Sequence, residues 1–112
     1  VRECLNYIDT YLHEPITLSD LAKYVGMNES YLSVLFKKET GKAVSSYIRE
    51  RRIRAAEGML RYTDYDCSEI ASFLAFCSQS HFISVFRQQT GLTPRQYRMR
   101  YAPERQPIKA QE

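Results

Sequence analysis

No stretch of this chain approaches the roughly 18 consecutive apolar residues that a membrane-crossing helix needs, so no membrane span is expected. A leader of positive charge, apolar run and small residues is also missing, so no secretory signal is read. The chain begins at Val1 instead of Met, which reads as a fragment of a longer protein. Histidine is scarce: His13 and His81 stand far apart, and no Cys-x-x-Cys pair occurs. A structural zinc site draws on such close pairs, so neither a metal nor another cofactor is expected. Cys4, Cys67 and Cys77 are odd in number and irregular in spacing. That argues against a disulfide framework and for a reducing, cytoplasmic compartment. Two roles stay open for them, as small buried hydrophobes or as a redox sensor. A Gly-rich phosphate loop is absent too, and two separated histidines make a poor source of nucleophile, base and orienter. An enzyme is not expected.

What is present is compact in character. The chain has 112 residues, of which 44% are hydrophobic and 26% charged, which suits one domain or two very small ones with an apolar core. The net charge of +3 is unevenly spread: residues 1–35 carry −3 and the remainder +6. Lys37, Lys38, Lys42, Arg49, Arg51, Arg52, Arg54, Arg87, Arg95, Arg98 and Arg100 supply most of the basic groups. A basic face can meet a polyanion, or it can simply solvate a helix.

The apolar spacing is helical almost throughout. Leu5, Ile8 and Leu12 share one face of a first helix, beside Cys4 and Tyr11, and Pro15 stops it near His13. Thr17 and Asp20 form a capping box ahead of Leu18, Leu21, Ala22 and Val25, and Gly26 ends that helix. Asn28 caps the next, with Leu32, Leu35 and Phe36 inward and Gly41 as its C-cap. A long helix over about 44–62 carries the stripe Val44, Tyr47, Ile48, Ile53, Ala56 and Leu60, with Gly58 read as a close-packing site. Asp66 and Glu69 form a second capping box before Ile70, Ala71 and Leu74. Ser78 caps a helix with Phe82, Val85 and Phe86 inward, ending at Gly91. Thr93-Pro94 starts a last helix that fades near Tyr101, and residues 102–112 read as a flexible tail. The prediction is an all-α chain of about seven helices.

The chain also repeats itself. Residues 17–48 align with 66–98: Leu21-Ala22 with Ile70-Ala71, then, after one extra residue near the turn, Ser30 with Ser80, Leu32 with Phe82, Phe36 with Phe86, Thr40-Gly41 with Thr90-Gly91 and Tyr47 with Tyr97. Two unequal copies are too few for a solenoid. Each copy is a short helix, a tight turn and a second capped helix, the outline of a helix-turn-helix. The expected subdomains are 1–49 and 63–101, joined by the long helix over about 44–62.

On these residues the chain resembles the DNA-binding domain of the AraC/XylS family of transcription regulators, over about residues 3–101. The second copy carries the signature in Ile70-Ala71, Ala75-Phe76, His81-Phe82, Phe86-Arg87, Gly91-Leu92-Thr93-Pro94 and Tyr97-Arg98. The first carries Leu21-Ala22, Gly26-Met27, Tyr31-Leu32, Phe36-Lys37 through Thr40-Gly41, and Tyr47-Ile48. Ala75 stands where the family usually has Gly, and His81 where it has Tyr. If the Ala75 position needs positive φ, Ala adds strain of about 1 kcal/mol, and the second module grips DNA less well than the first.

Helix arithmetic turns Ser30, Ser33, Val34 and Lys37 outward on the first copy, and Gln79, Ser80, Ile83, Ser84 and Arg87 on the second. The resemblance implies that these two helices enter the major groove. Ser30, Ser33, Val34, Gln79, Ser80, Ile83 and Ser84 are then the base-reading candidates. Gln79 suits adenine, and Val34 and Ile83 suit thymine methyl groups, although single exposed apolar residues also occur without a role. Lys37, Lys38 and Arg87, with the helix starts at Asn28 and Ser78, are the phosphate candidates. Arg49, Arg51, Arg52 and Arg54 lie on several faces of the long helix; they solvate it, pair with Glu50 and Glu57, or track phosphates between the modules. A helix of about 28 Å between tandem copies, against about 34 Å per DNA turn, predicts a bipartite, non-palindromic double-stranded site. The resemblance further implies an N-terminal sensing or dimerisation domain and contact with RNA polymerase. A helical protein-interaction domain using some of the nine tyrosines is the alternative.

Overall fold

Local chemistry at the helix ends sets the architecture. The computed structural model describes residues 1–102, so the tail expected over 102–112 lies, past Ala102, outside the described residues. Among the described residues there are seven helices and no strand: α1 (Arg2–Thr10), α2 (Leu18–Val25), α3 (Glu29–Thr40), α4 (Val44–Tyr62), α5 (Cys67–Phe73), α6 (Gln79–Thr90) and α7 (Pro94–Tyr101). None of them is long and apolar enough to cross a membrane. The chain is all-α.

The capping signals act as read. The Thr17 hydroxyl accepts from Asp20 N, and the Asp20 carboxylate accepts from Thr17 N, both at 3.0 Å. Asp66 and Glu69 repeat the exchange at 2.8 and 2.9 Å. Thr93 and Gln96 add a third box, with Pro94 at the first helical position, where its missing N–H costs nothing. Each interaction satisfies an N–H that the first turn leaves without an intrahelical partner.

The chain divides into two compact units, residues 1–52 and residues 53 onward. In the first unit Cys4, Ile8, Leu21, Ala22, Leu32, Phe36, Val44 and Ile48 are buried together. Leu35, expected inward, is half-buried and outside this buried set. In the second unit Ile53, Ala56, Leu60, Ile70, Ala71, Leu74, Phe82, Val85, Phe86 and Tyr97 form the core. The apolar stripe of α4 thus supplies Val44 and Ile48 to one core and Ile53, Ala56 and Leu60 to the other.

The internal repeat extends to the hydrogen bonds that follow α3 and α6. The Thr40 hydroxyl donates to Phe36 O at 2.8 Å and accepts from Lys42 N at 3.2 Å. Thr90 makes the same bonds to Phe86 O and from Leu92 N, at the same distances. Phe36 meets Tyr47 edge to face at 5.5 Å, and Phe86 meets Tyr97 likewise at 5.4 Å. Both turns close alike. Met27 N donates to Ala22 O at 2.9 Å, and Phe76 N to Ala71 O at 3.0 Å, the long bond that wraps a helix C-terminus around a left-handed residue. That residue is Gly26 at φ 71 in one turn and Ala75 at φ 61 in the other. The extra residue of the second copy is Cys77, exposed between Phe76 and the Ser78 cap.

Two positions depart from what their residue types favour. Ala75 bears its side chain in the left-handed region, where an L side chain is disfavoured. Gly58 lies inside α4, and a Cβ there would have nothing within 4 Å. The close-packing role expected for Gly58 is therefore wrong; the site has room for a methyl group. Ala75→Gly should relieve strain and Gly58→Ala should favour the helix, each raising stability by ~0.5–1 kcal/mol. Urea denaturation of the two variants measures this, and a loss of stability in either would contradict the backbone described.

Candidate nucleic-acid interface

Each unit presents the second helix of its helix-turn-helix, α3 or α6, with a capped start and a polar outer face. At the start of α3, Asn28 Oδ1 accepts from Ser30 N at 2.8 Å and from Tyr31 N at 3.2 Å. At the start of α6, the Ser78 hydroxyl accepts from His81 N at 3.0 Å. The capping oxygens are thus occupied. What these two residues can still offer a phosphate is the Asn28 amide NH2 and the Ser78 hydroxyl proton, next to the positive end of a helix dipole. Glu29, exposed in the first turn of α3, adds an opposing charge that α6 lacks.

Ser30, Ser33, Val34, Lys37 and Lys38 are all exposed on α3, and Val34 is 69% exposed. On α6 Gln79, Ser80, Ser84 and Arg87 are exposed. Ile83 is the exception. It is half-buried and packs against the core of the second unit, because it lies one residue after Phe82, at the margin of the inward arc. The repeat clarifies the difference: with an offset of 50, Ile83 corresponds to Ser33 and Ser84 to Val34. The two branched residues therefore do not occupy equivalent places. Ile83 forms part of an open hollow with Ser80, Ser84, Arg87, Gln88 and Thr93. Ser33 lines a different hollow, with Thr17, Leu18, Ala43 and Ser45 among its neighbours. Gln88 and Thr93 line the α6 hollow although helix arithmetic does not single them out, and Tyr31 is exposed at the start of α3. The amide of Gln88, one residue after Arg87, was the only signal available for it.

The basic residues separate into two groups. The Arg52 guanidinium donates to Leu12 O at 3.1 Å and Glu14 O at 2.7 Å, and its burial lowers its pKa. Arg51 pairs with Asp9 at 2.9 Å, Arg49 reaches Ser46, and Lys42 takes Glu50. In place of Glu50 and Glu57, Arg51 and Arg52 take partners on α1 and the segment after it, Arg49 takes a serine on α4 itself, and Glu50 pairs with Lys42. In the second unit Arg98 donates to Leu60 O at 3.0 Å, Thr63 O at 3.1 Å and Tyr65 O. Arg52 and Arg98 hold carbonyls, whereas Lys37, Lys38 and Arg87 stay exposed on the outer helices. Burial pushes the Cys4 and Cys67 thiols above their usual pKa, which fits their place in the packing.

The two helix-turn-helix units place the chain among known proteins. A helix-turn-helix domain family model matches residues 21–100. An AraC-type DNA-binding domain-containing regulator from Chromobacterium violaceum shares 31% identity at a TM-score of 0.85, with 91% of each chain covered. The chain belongs to the AraC-type family of helix-turn-helix domains. The regulatory protein PocR of Salmonella typhimurium is 35% identical over 98 residues, covering 88% of this chain and 32% of that protein. The chain spans about a third or less of the length of the curated relatives it matches. The DNA-binding domain of AdpA, solved in complex with a target DNA, matches at a TM-score of 0.87 and 28% identity, over 93% of this chain and 94% of that one. AraC-type domains serve DNA binding in transcription regulation, and the outer faces of α3 and α6 are the polar, cation-bearing surfaces that such a ligand needs.

Proposed function

We propose that this AraC-type domain reads double-stranded DNA with α3 and α6 in adjacent major-groove segments. The observation that carries the reading is the duplicated turn, with Gly26 and Ala75 at matching positive φ ahead of a capped helix whose outer face is small, polar and basic. Residues 1–49 and 63–101 act as the two reading modules, with the helix over about 44–62 between them. Ser30, Ser33 and Val34 on the first module, and Gln79, Ser80, Ile83 and Ser84 on the second, contact base edges. Val34 offers methyl groups to thymine and Gln79 a paired donor and acceptor to adenine. Ile83 offers only the exposed part of its side chain. Asn28, Lys37, Lys38, Ser78 and Arg87 hold phosphates. The site is bipartite and non-palindromic, because the copies are tandem and not symmetry mates. In the cell the domain works in the cytoplasm, attached to an N-terminal sensing or dimerisation domain, and acts on transcription through RNA polymerase.

Selection of duplexes from a random pool at near-physiological salt tests this. The expected result is a bipartite motif with half-sites about one helical turn apart. Val34→Ala should flatten preference at individual base pairs of one half-site by about 1 kcal/mol. A palindromic motif, or an unaltered motif with Val34→Ala, would remove the tandem reading or Val34's part in it.

A further inference from the structure

The first unit also carries an aromatic surface on α1 and α2, formed by residues outside the outer face of α3. Tyr7 and Tyr11 stand one turn apart at the end of α1, and Asp20 and Tyr24 one turn apart on α2. The Tyr7 ring lies between the other two, 4.7 Å from Tyr11 at an interplanar angle of 46° and 4.8 Å from Tyr24 at 51°. Tyr24 is 59% exposed and Tyr11 40%. Partial burial raises the Tyr7 pKa, and the Asp20 and Glu14 carboxylates raise it further, so both acids act on the Tyr7 hydroxyl.

Tilted aromatic faces beside carboxylates make an environment for a cation. Ring quadrupoles and carboxylates both attract positive charge, and both repel a phosphate. The basic side chains of α4 that reach towards this part of the unit are engaged: Arg51 with Asp9, and Arg52 with the carbonyls of Leu12 and Glu14. Glu14 also meets His13 at 3.4 Å, and the Asp20 carboxylate accepts its capping bond from Thr17 N. We propose that the seam of Tyr7, Tyr11 and Tyr24, edged by Asp20 and Glu14, docks an arginine side chain presented by a partner protein. Arginine fits better than lysine, because a planar guanidinium stacks on a ring while its edge donates to a carboxylate.

The test is an NMR titration of the chain with N-acetyl-arginine amide, following the tyrosine ring resonances, against N-acetyl-citrulline amide of the same shape without the charge. Saturable shifts confined to Tyr7, Tyr11 and Tyr24 are expected, with a Kd on the order of 10 mM and roughly tenfold weaker binding of citrulline. Tyr24→Leu and Glu14→Gln, both at exposed positions, should each weaken arginine binding several-fold and leave duplex binding unchanged. Equal binding of citrulline, shifts spread over the other tyrosines, or undiminished arginine binding by Tyr24→Leu would overturn the proposal. So would ring shifts that follow protein concentration alone, which would make a second copy the occupant, or displacement of arginine by duplex DNA.

Discussion

Replacing Phe86 with Ala should lower the stability of the second unit by about 3–5 kcal/mol. Phe86 is fully buried and touches the rings of Phe82 at 5.7 Å and Tyr97 at 5.4 Å. Its backbone carbonyl also receives the Thr90 hydroxyl, so the residue links the core to the turn that follows α6. Truncation removes the aromatic contacts and leaves a cavity whose walls are helices pinned by their own caps, which limits how far the site can collapse. Urea denaturation followed by circular dichroism measures the loss. An unchanged midpoint would contradict the place of Phe86 in the core.

Arg98→Ala should cost about 2–4 kcal/mol. The guanidinium holds Leu60 O, Thr63 O and Tyr65 O, at the C-terminal end of α4 and in the segment that leads to α5. The last carbonyls of a helix have no intrahelical donor, and α4 ends here without a left-handed glycine. A forked donor on α7 satisfies what local chemistry leaves open, and it ties α7 to the segment before α5. Arg98→Lys should recover less than half of the loss, because an ammonium cannot reproduce the planar fork. Thermal denaturation of the two variants tests this, and full recovery by Lys would mean that charge matters and geometry does not. DNA affinity measured at a temperature where Arg98→Lys is folded should stay near that of the parent, since this arginine faces the protein.

The features legible in the sequence are those governed by neighbours in the chain. Thr17, Asp66, Ser78 and Thr93 cap because the amides they serve lie two or three residues on. Gly41 and Gly91 end helices because their own φ permits it. The strained turn at Ala75 is visible from the glycine that the family resemblance puts at that place. What escaped is governed by distance along the chain. Arg52 and Arg98 look like surface charge until the fold brings them to carbonyls 33 to 40 residues away. Ile83 sits at the margin between faces, and periodicity alone does not say on which side of a margin a side chain falls. Gly58 illustrates the opposite error, in which a residue type suggests crowding that the surroundings do not impose.

The shared helix limits how this protein can be taken apart. Val44 and Ile48 belong to one core, and Ile53, Ala56 and Leu60 to the other. A cut through α4 on either side of the bond between Arg52 and Ile53 strips one half of packing side chains, or of the guanidinium that holds Leu12 and Glu14. A cut at that bond keeps both sets whole but leaves each half a helical stub of about ten residues, a length that is marginal without packing along its whole face. The modules are alike enough to invite exchange between relatives, yet the joint that unites them cannot be divided without each half surrendering the helix that continues into the other.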